Sequence, residues 1–221
     1  PGCAPQFEQV IESAVTSHGL TPMLMVGDVA RLMNELCADS DTTLIELAQR
    51  QGRSCGGVIM PLIETADTVS DAIRLILMYN CLHAEPIQWT GSDPGNQAAL
   101  TAWLDRPADV TVQQAERIVL LGTLQIVSAL TDVLGDSFKP VLIRIKPSQL
   151  SLEWPDQFMG VPIDATVAET ELLIDRECLG KPNPNRRTQI SSSSLIEMRE
   201  RHHENAGAEP LKNDTCSWIT R

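Results

Sequence analysis

Phe138-Lys-Pro-Val-Leu-Ile-Arg-Ile-Lys-Pro147 opens the stretch of sequence that decides the fold, and this stretch continues to Leu179. Every second residue from Val141 to Ile145 is apolar and β-branched, and prolines bound the run on both sides. Because successive side chains of a strand point to opposite faces, this alternation predicts a β-strand with one apolar face.

Three further elements follow within the same stretch. The pattern predicts a short helix over Leu152–Met159 that Gly160 closes, and then two short strands, Val161–Ala165 and Glu171–Asp175, joined by a polar turn. A strand, a helix and two strands form a β-α-β-β unit. The apolar side of such a unit requires a covering layer of helices.

The preceding residues supply those helices. Helical spacing of apolar residues predicts three short helices within the first fifty-two residues, beginning near Phe7, Val26 and Asp41. A further helix over Val69–Tyr79, with Thr68 as its N-terminal cap, is apolar over much of its girth. We therefore expect this helix to be buried on more than one side.

A hairpin and a long helix lie between these helices and the β-α-β-β unit. Ile87–Trp103 has an apolar period of two around Gly91-Ser-Asp-Pro-Gly-Asn96, which is dense in turn formers and predicts a β-hairpin. Thr111-x-x-Gln114 matches a capping box and predicts the longest helix, which runs to Leu134 and ends at Gly135. The chain is expected to be an α+β protein with a mainly antiparallel sheet covered by helices.

A change of composition after Gly180 predicts a domain boundary near residue 182. Lys181-Pro-Asn-Pro-Asn-Arg-Arg187 cannot continue a strand, and four serines follow from Ser191. We expect residues 1–182 to form one domain and residues 183–221 to form a linker.

Charge and cysteine usage exclude several classes of protein. The net charge is −12 and the pI about 4.7, so this chain is a poor candidate for binding DNA or anionic lipid by itself. Its six cysteines are widely spaced and form no Cys-x-x-Cys pair, which indicates reduced thiols in the cytoplasm. The sequence has no uninterrupted apolar run long enough to predict a membrane span. Its start lacks the basic stretch followed by an apolar one that would predict a secretory leader.

No catalytic or cofactor motif is present in the sequence. It lacks G-x-S-x-G, H-E-x-x-H, a Walker loop and G-x-G-x-x-G. No histidine is identified as a base for Cys55, which is better explained as part of a helix-breaking loop. His202-His203-Glu204 could bind a metal but lacks further ligands. We therefore expect no enzymatic activity, no cofactor and no metal.

Five scattered side chains are candidate contacts for a small molecule. An apolar pocket with a few polar groups is the usual form of such a site, in which aromatic rings supply walls and a cation meets an anion. On this view the ligand-binding residues are Tyr79, His83, Trp89, Trp103 and Arg144. The alternative is that the two tryptophans are core residues, Arg144 is a solvated strand residue and His83 is a cation at a helix end. The pocket is expected between the β-α-β-β unit and the helix that ends at Tyr79.

Two stretches carry a resemblance to a known family. Gly56–Tyr79 has a glycine pair and an apolar helix before a Thr-aliphatic-x-acidic-Ala helix that ends in tyrosine. Pro140–Leu179 has a strand, a helix with an aromatic residue, a glycine, a Val-Pro strand and a Leu-Leu-Ile-Asp strand. In these stretches the chain resembles the N-terminal regulatory domain of AraC-type transcription regulators, in the arabinose-binding-domain-like branch.

The resemblance implies an effector-binding and dimerisation domain over residues 1–182 and a linker toward a helix-turn-helix DNA-binding domain that is missing from this chain. The expected partners are a small-molecule effector and DNA, the latter only through that missing domain. The alternative is a stand-alone small-molecule-binding protein or an uncharacterised enzyme. A homodimer could use the face of the long helix that carries Gly122, Gln125 and Ser128, unless that helix is simply a core helix with one wet face.

Overall fold

The computed structural model describes residues 26–37, 42–52, 57, 59–79, 87–146 and 155–190. These residues form a six-stranded sheet and a set of helices. The strands are β1 (Ile87–Ser92), β2 (Gln97–Leu104), β3 (Pro140–Arg144), β4 (Gln157–Phe158), β5 (Val161–Asp164) and β6 (Thr170–Asp175). The helices are α1 (Val26–Leu36), α2 (Thr42–Gln51), α3 (Met60–Ile63), α4 (Val69–Tyr79), α5 (Val112–Leu134) and α6 (Arg176–Leu179).

The strand order in the sheet is β1-β2-β6-β3-β5-β4. All neighbouring strands are antiparallel except β3 and β5, which run parallel. The predicted α+β class with a mainly antiparallel sheet is therefore confirmed. The sequence order does not reveal that β3 lies between β5 and β6.

The predicted β-hairpin is formed by β1 and β2. Ile87 lies opposite Leu104 and Ser92 lies opposite Ala99, so the hairpin is paired along its whole length. The turn contains Gly95 with a φ of +84°, a conformation that side chains with a Cβ rarely adopt.

Helix α5 begins and ends where the sequence predicts. The Gln114 backbone N–H donates to Thr111 Oγ1 at 3.2 Å, and the Thr111 N–H donates to Gln114 Oε1 at 2.7 Å, which completes the capping box. The helix is capped at its C-terminus by Gly135. Local residues thus define both ends.

Removing the cap of α5 tests its contribution to stability. We expect Thr111→Ala to lower the free energy of unfolding by about 1 kcal/mol, because the Gln114 N–H loses its acceptor. Urea unfolding followed by circular dichroism measures this loss. Thr188→Ala, on an exposed threonine outside the helices, is the matched control and should be neutral. Equal effects of the two substitutions would contradict a role for the capping box.

Helix α5 is the central layer of the fold, because it contacts β1, β2 and β6 as well as α1 and α2. Within the helical segment Val112–Ser137, the most apolar 18-residue window has a mean hydropathy of 1.8. By length and composition alone, this segment could cross a membrane. However, 72% of that apolar window is buried inside the fold, as in the core helix of a globular protein.

Gly122, Gln125 and Ser128 of α5 contact other parts of the same chain. A Cβ on Gly122 would lie 2.6 Å from Ile87 Cδ1, so the glycine permits close packing on β1. Gln125 Nε2 donates to Gln51 Oε1 of α2, and the buried Ser128 hydroxyl donates to Met159 Sδ at 3.2 Å. These three residues are therefore engaged within the chain, which disfavours the proposed dimer face without testing dimerisation itself.

The segment predicted as a helix ending at Met159 ends instead in a hairpin. Gln157 and Phe158 pair antiparallel with Pro162 and Val161 across the two-residue turn Met159-Gly160. Both turn residues have positive φ, 49° and 80°, as a type I′ hairpin turn requires. Gly160 is thus a turn residue and not the end of a helix. Residues 152–154 of the predicted helix lie outside the described residues.

The N-terminus of α4 is capped as predicted. The Asp71 N–H donates to Thr68 Oγ1 at 3.1 Å, and the Thr68 hydroxyl donates to Asp71 Oδ2 at 2.8 Å. Helix α4 buries one side in the core, while Met78 is exposed.

The first residues of the predicted linker lie against the domain. The buried Asn183 N–H donates to Asp67 O at 2.9 Å, and its side chain donates to Ala66 O at 3.2 Å. Arg187 Nη1 lies 2.9 Å from Glu64 Oε2. Residues 183–187 are therefore part of the described tertiary structure, whereas residues 191–221 lie outside the described part, as does the helix predicted near Phe7.

Candidate functional site

A cavity of about 500 Å³ lies between one end of the sheet and the first two turns of α5. The sheet contributes the end of β2 and the start of β6, and Lys146 lies two residues after the end of β3. The lining residues are Thr90, Thr101, Ala102, Trp103, Leu104, Arg106, Val112, Ala115, Glu116, Val119, Lys146, Ala168, Glu169 and Thr170. The volume is within the usual range of small-molecule sites, which is roughly 300–1,000 Å³.

The helical wall of the cavity follows from the periodicity of α5. Val112, Ala115, Glu116 and Val119 lie at positions i, i+3, i+4 and i+7 and so share one face of the helix. Three of these residues are apolar, as is most of this helix. Glu116 is the exception, and a carboxylate within an apolar stripe is the sequence signal that could have indicated this wall.

An ion pair is built into the cavity wall. Lys146 Nζ lies 3.2 Å from Glu116 Oε1, and the Glu116 side chain is only 12% exposed. A second cation, Arg106, stands nearby and donates from Nη1 to Val110 O at 2.6 Å, which holds the guanidinium against the loop before α5. Glu169 contributes a second carboxylate. The wall thus carries charges of both signs.

The two tryptophans of the hairpin lie on opposite faces of the sheet. Trp89 is opposite Ala102 and Trp103 is opposite Gln88, and adjacent strand positions alternate between faces. Trp89 is 7% exposed and belongs to the core, whereas Trp103 is 39% exposed and lines the cavity. Of the five predicted ligand contacts, Trp103 is the one that the structure places in this cavity.

Arg144 lies in a polar row that crosses the sheet. Pairing places Thr90, Thr101, Glu171, Arg144 and Asp164 opposite one another on successive strands. Arg144 Nη1 donates to Glu171 Oε2 at 3.0 Å, and Thr101 Oγ1 lies 3.4 Å from Glu171 Oε1. Arg144 is therefore ion-paired outside the cavity, although Thr90 and Thr101 at the other end of the row line it.

Of the remaining two candidates, Tyr79 lies outside the described lining of the cavity. Tyr79 ends α4, half-buried against the core, and α4 contributes no residue to the described lining. His83 lies outside the described residues, so its expected proximity to Tyr79 stays a prediction. This cavity lies beside α5, and the pocket expected beside α4 stays a prediction.

A hydrogen-bonded turn lowers the pKa of Asp164 at the far end of the polar row. The Thr166 hydroxyl and N–H both donate to Asp164 Oδ1, at 2.6 and 3.0 Å, and Arg144 adds a smaller favourable Coulomb interaction. These contacts stabilise the ionised carboxylate. Because the folded-state pKa lies below the unfolded value, the stabilisation is present above the unfolded pKa and is lost as pH falls through the folded one.

Thr166→Ala is expected to raise the pKa of Asp164 toward its ordinary value, because the largest cause of the depression is removed. A carbon-detected NMR titration of the Asp164 carboxyl measures this shift. The carboxyl of Asp105, which is distant in sequence from position 166, serves as an internal control in the same titration. An unchanged pKa of Asp164 would contradict the assigned cause.

Within the described ranges, no group of three or more histidine, cysteine or acidic side chains is placed to hold a metal ion. Cys37 and Cys178 are buried and form no disulfide bond among the described residues. The groups that the cavity offers to a ligand are therefore its ion pair, its hydroxyl groups and its apolar side chains.

Comparison with solved structures shows a shared fold. The chain is similar to the transcriptional regulator CdpR from Pseudomonas aeruginosa, with a TM-score of 0.61 and 14% sequence identity over 94% of this chain and 68% of that one. No family's sequence model and no curated protein matches the chain. The fold of this chain thus also occurs in a transcriptional regulator.

Proposed function

We propose that this chain is the effector-sensing and dimerisation domain of an AraC-type transcriptional regulator. In this proposal it is cytoplasmic, has no enzymatic activity and binds DNA only through an attached helix-turn-helix module. The observation that carries the proposal is the fold shared with the regulator CdpR. The net charge of −12 also supports it, because such a chain needs a separate basic module to bind DNA.

The cavity beside α5 is the proposed effector site. It joins an apolar wall to hydroxyl groups and charges, as small-molecule sites do. A small molecule there would contact β2, β6 and α5 together. It could shift the attached module between conformations only to the extent that it binds one conformation more tightly than the other.

Blocking the cavity tests this function in the full-length gene product. We expect small molecules extracted from the source cells to change its affinity for the DNA upstream of its own gene, measured by fluorescence anisotropy. Ala115→Trp places an indole in the cavity and should abolish this response. Ala108→Trp makes the same change on an exposed residue outside the lining and is the matched control.

The possible outcomes separate the functions. A gene that continues beyond Arg221 into a basic segment with two helix-turn-helix patterns supports the regulator. A stop codon there would favour the stand-alone binding protein. A full-length protein whose DNA affinity responds equally in the Ala115→Trp variant and the wild type would contradict the assignment of this cavity.

A further inference from the structure

The charges of the cavity wall constrain the kind of effector that it accepts. Two cationic side chains, Arg106 and Lys146, and two carboxylates, Glu116 and Glu169, line the same space. The formal charges of these four groups sum to zero. A ligand that carries one group of each sign could pair with both kinds of side chain.

The pair Lys146–Glu116 sharpens this constraint. Its Nζ and Oε1 atoms are 3.2 Å apart, and the side chains are 42% and 12% exposed. A buried charge is costly once its partner is taken away. A ligand anion that drew Lys146 away would weaken the Lys146–Glu116 ion pair, unless the ligand also carried a cation. The pair thus favours a ligand that brings one group of each sign.

The rest of the ligand must be apolar. Trp103 and Val112 line the cavity and are two of the four large hydrophobic side chains that are exposed among the described residues. They are 39% and 44% exposed, so a ligand could cover surface that is otherwise in water. Covering such surface is favourable, and exposed apolar patches often mark binding sites.

We propose that the effector is a zwitterionic amino acid, or a short peptide of such residues, with an apolar side chain. Its carboxylate pairs with Lys146 and Arg106, its ammonium group pairs with Glu116 and Glu169, and its side chain covers Trp103 and Val112. This inference rests on the proposed function, in which the cavity takes a small-molecule effector.

Calorimetric titration of the full-length protein tests the charge requirement. The probes are L-phenylalanine, L-leucine and phenylalanyl-leucine, with 2-phenylethylamine and 3-phenylpropionate as singly charged analogues. At least one of the zwitterions is expected to bind at least tenfold more tightly than either analogue. If 2-phenylethylamine or 3-phenylpropionate binds with the same affinity as every zwitterion, the proposal is overturned.

Two variants show whether the ion pair sets this preference. Glu116→Gln removes the partner of the ligand ammonium, so the preference for the zwitterion over 3-phenylpropionate should shrink. Lys146→Gln should correspondingly shrink the preference over 2-phenylethylamine. Lys139→Gln makes the same change in an exposed lysine 3.5 Å from Asp136, outside the cavity, and should change neither ratio. Preferences that survive both cavity substitutions would overturn the assigned roles.

Failure of this inference can be told apart from failure of the proposed function. If the protein binds none of the zwitterions, yet cell extract changes its DNA affinity in an Ala115-dependent way, the ligand class is wrong and the function stands. If neither the probes nor the extract has any effect on DNA affinity, the proposed function fails as well.

Discussion

Leu124→Ala is expected to lower the free energy of unfolding by about 3 kcal/mol, the largest effect of any single substitution proposed for this protein. Leu124 is fully buried at the middle of α5. The sheet, α1 and α2 all pack against this helix, so the surroundings have little freedom to collapse into the space left by the leucine. The free-energy cost of the lost apolar burial and the cost of the residual cavity therefore add up.

Urea unfolding of Leu124→Ala measures the loss, and an unchanged m-value would show that it reflects stability and not a changed denatured state. Met78→Ala is the control, because Met78 is a large apolar residue on α4 but is exposed. We expect its effect to stay within about 0.5 kcal/mol. A loss below 1 kcal/mol for Leu124→Ala would contradict the central position of α5 in the core.

Asn183→Ala is expected to cost about 2 kcal/mol, because it leaves buried polar groups without partners. The Asn183 amide donates to Ala66 O, and its Oδ1 accepts from the Asn185 N–H at 3.0 Å. Around it, the Val69 N–H donates to Lys181 O at 3.1 Å, and the Arg187 N–H donates to Glu64 O at 2.8 Å. Loss of the side chain should therefore loosen residues 181–187 from the loop before α4.

Two measurements check this second prediction. Urea unfolding reports the loss of stability, and amide hydrogen exchange should become faster in residues 181–187 than in α5. Gln189→Ala is the control, because Gln189 belongs to the same segment but is exposed. A neutral Asn183→Ala would mean that the folded domain ends at residue 182, as the composition change alone predicts.

The elements that could be predicted from sequence are those with local signals. The β1–β2 hairpin follows from a dense cluster of turn formers between two alternating runs, and the bounds of α5 follow from Thr111, Gln114 and Gly135. In each case the deciding hydrogen bonds join residues a few positions apart. No distant part of the chain is needed to specify them.

Gly160 shows where a local signal has two meanings. A glycine with positive φ ends many helices, but it also completes a type I′ hairpin turn. Here Phe158 pairs with Val161, so the turn is the correct interpretation. That choice depends on strand pairing with β5, and β5 in turn pairs with β3. Residues before Gly160 do not contain this information.

The candidate site shows the same limit at a larger scale. Alternation alone placed Trp89 and Trp103 on the two arms of the hairpin but left their register open. The observed register puts Ala102 opposite Trp89, so one indole enters the core and the other faces the cavity. A shift of one residue would exchange the two faces, because the period of a strand is two.

The sequence by itself thus determined the α+β class, the caps of α4 and α5, the first hairpin and most strands of the stretch that begins at Phe138. Only the tertiary structure decided the strand order, the second hairpin and the position of the cavity. The ion pair between Lys146 and Glu116 joins residues thirty positions apart, which the tertiary fold brings to 3.2 Å. Local propensity sets the elements, whereas long-range packing selects which side chains meet.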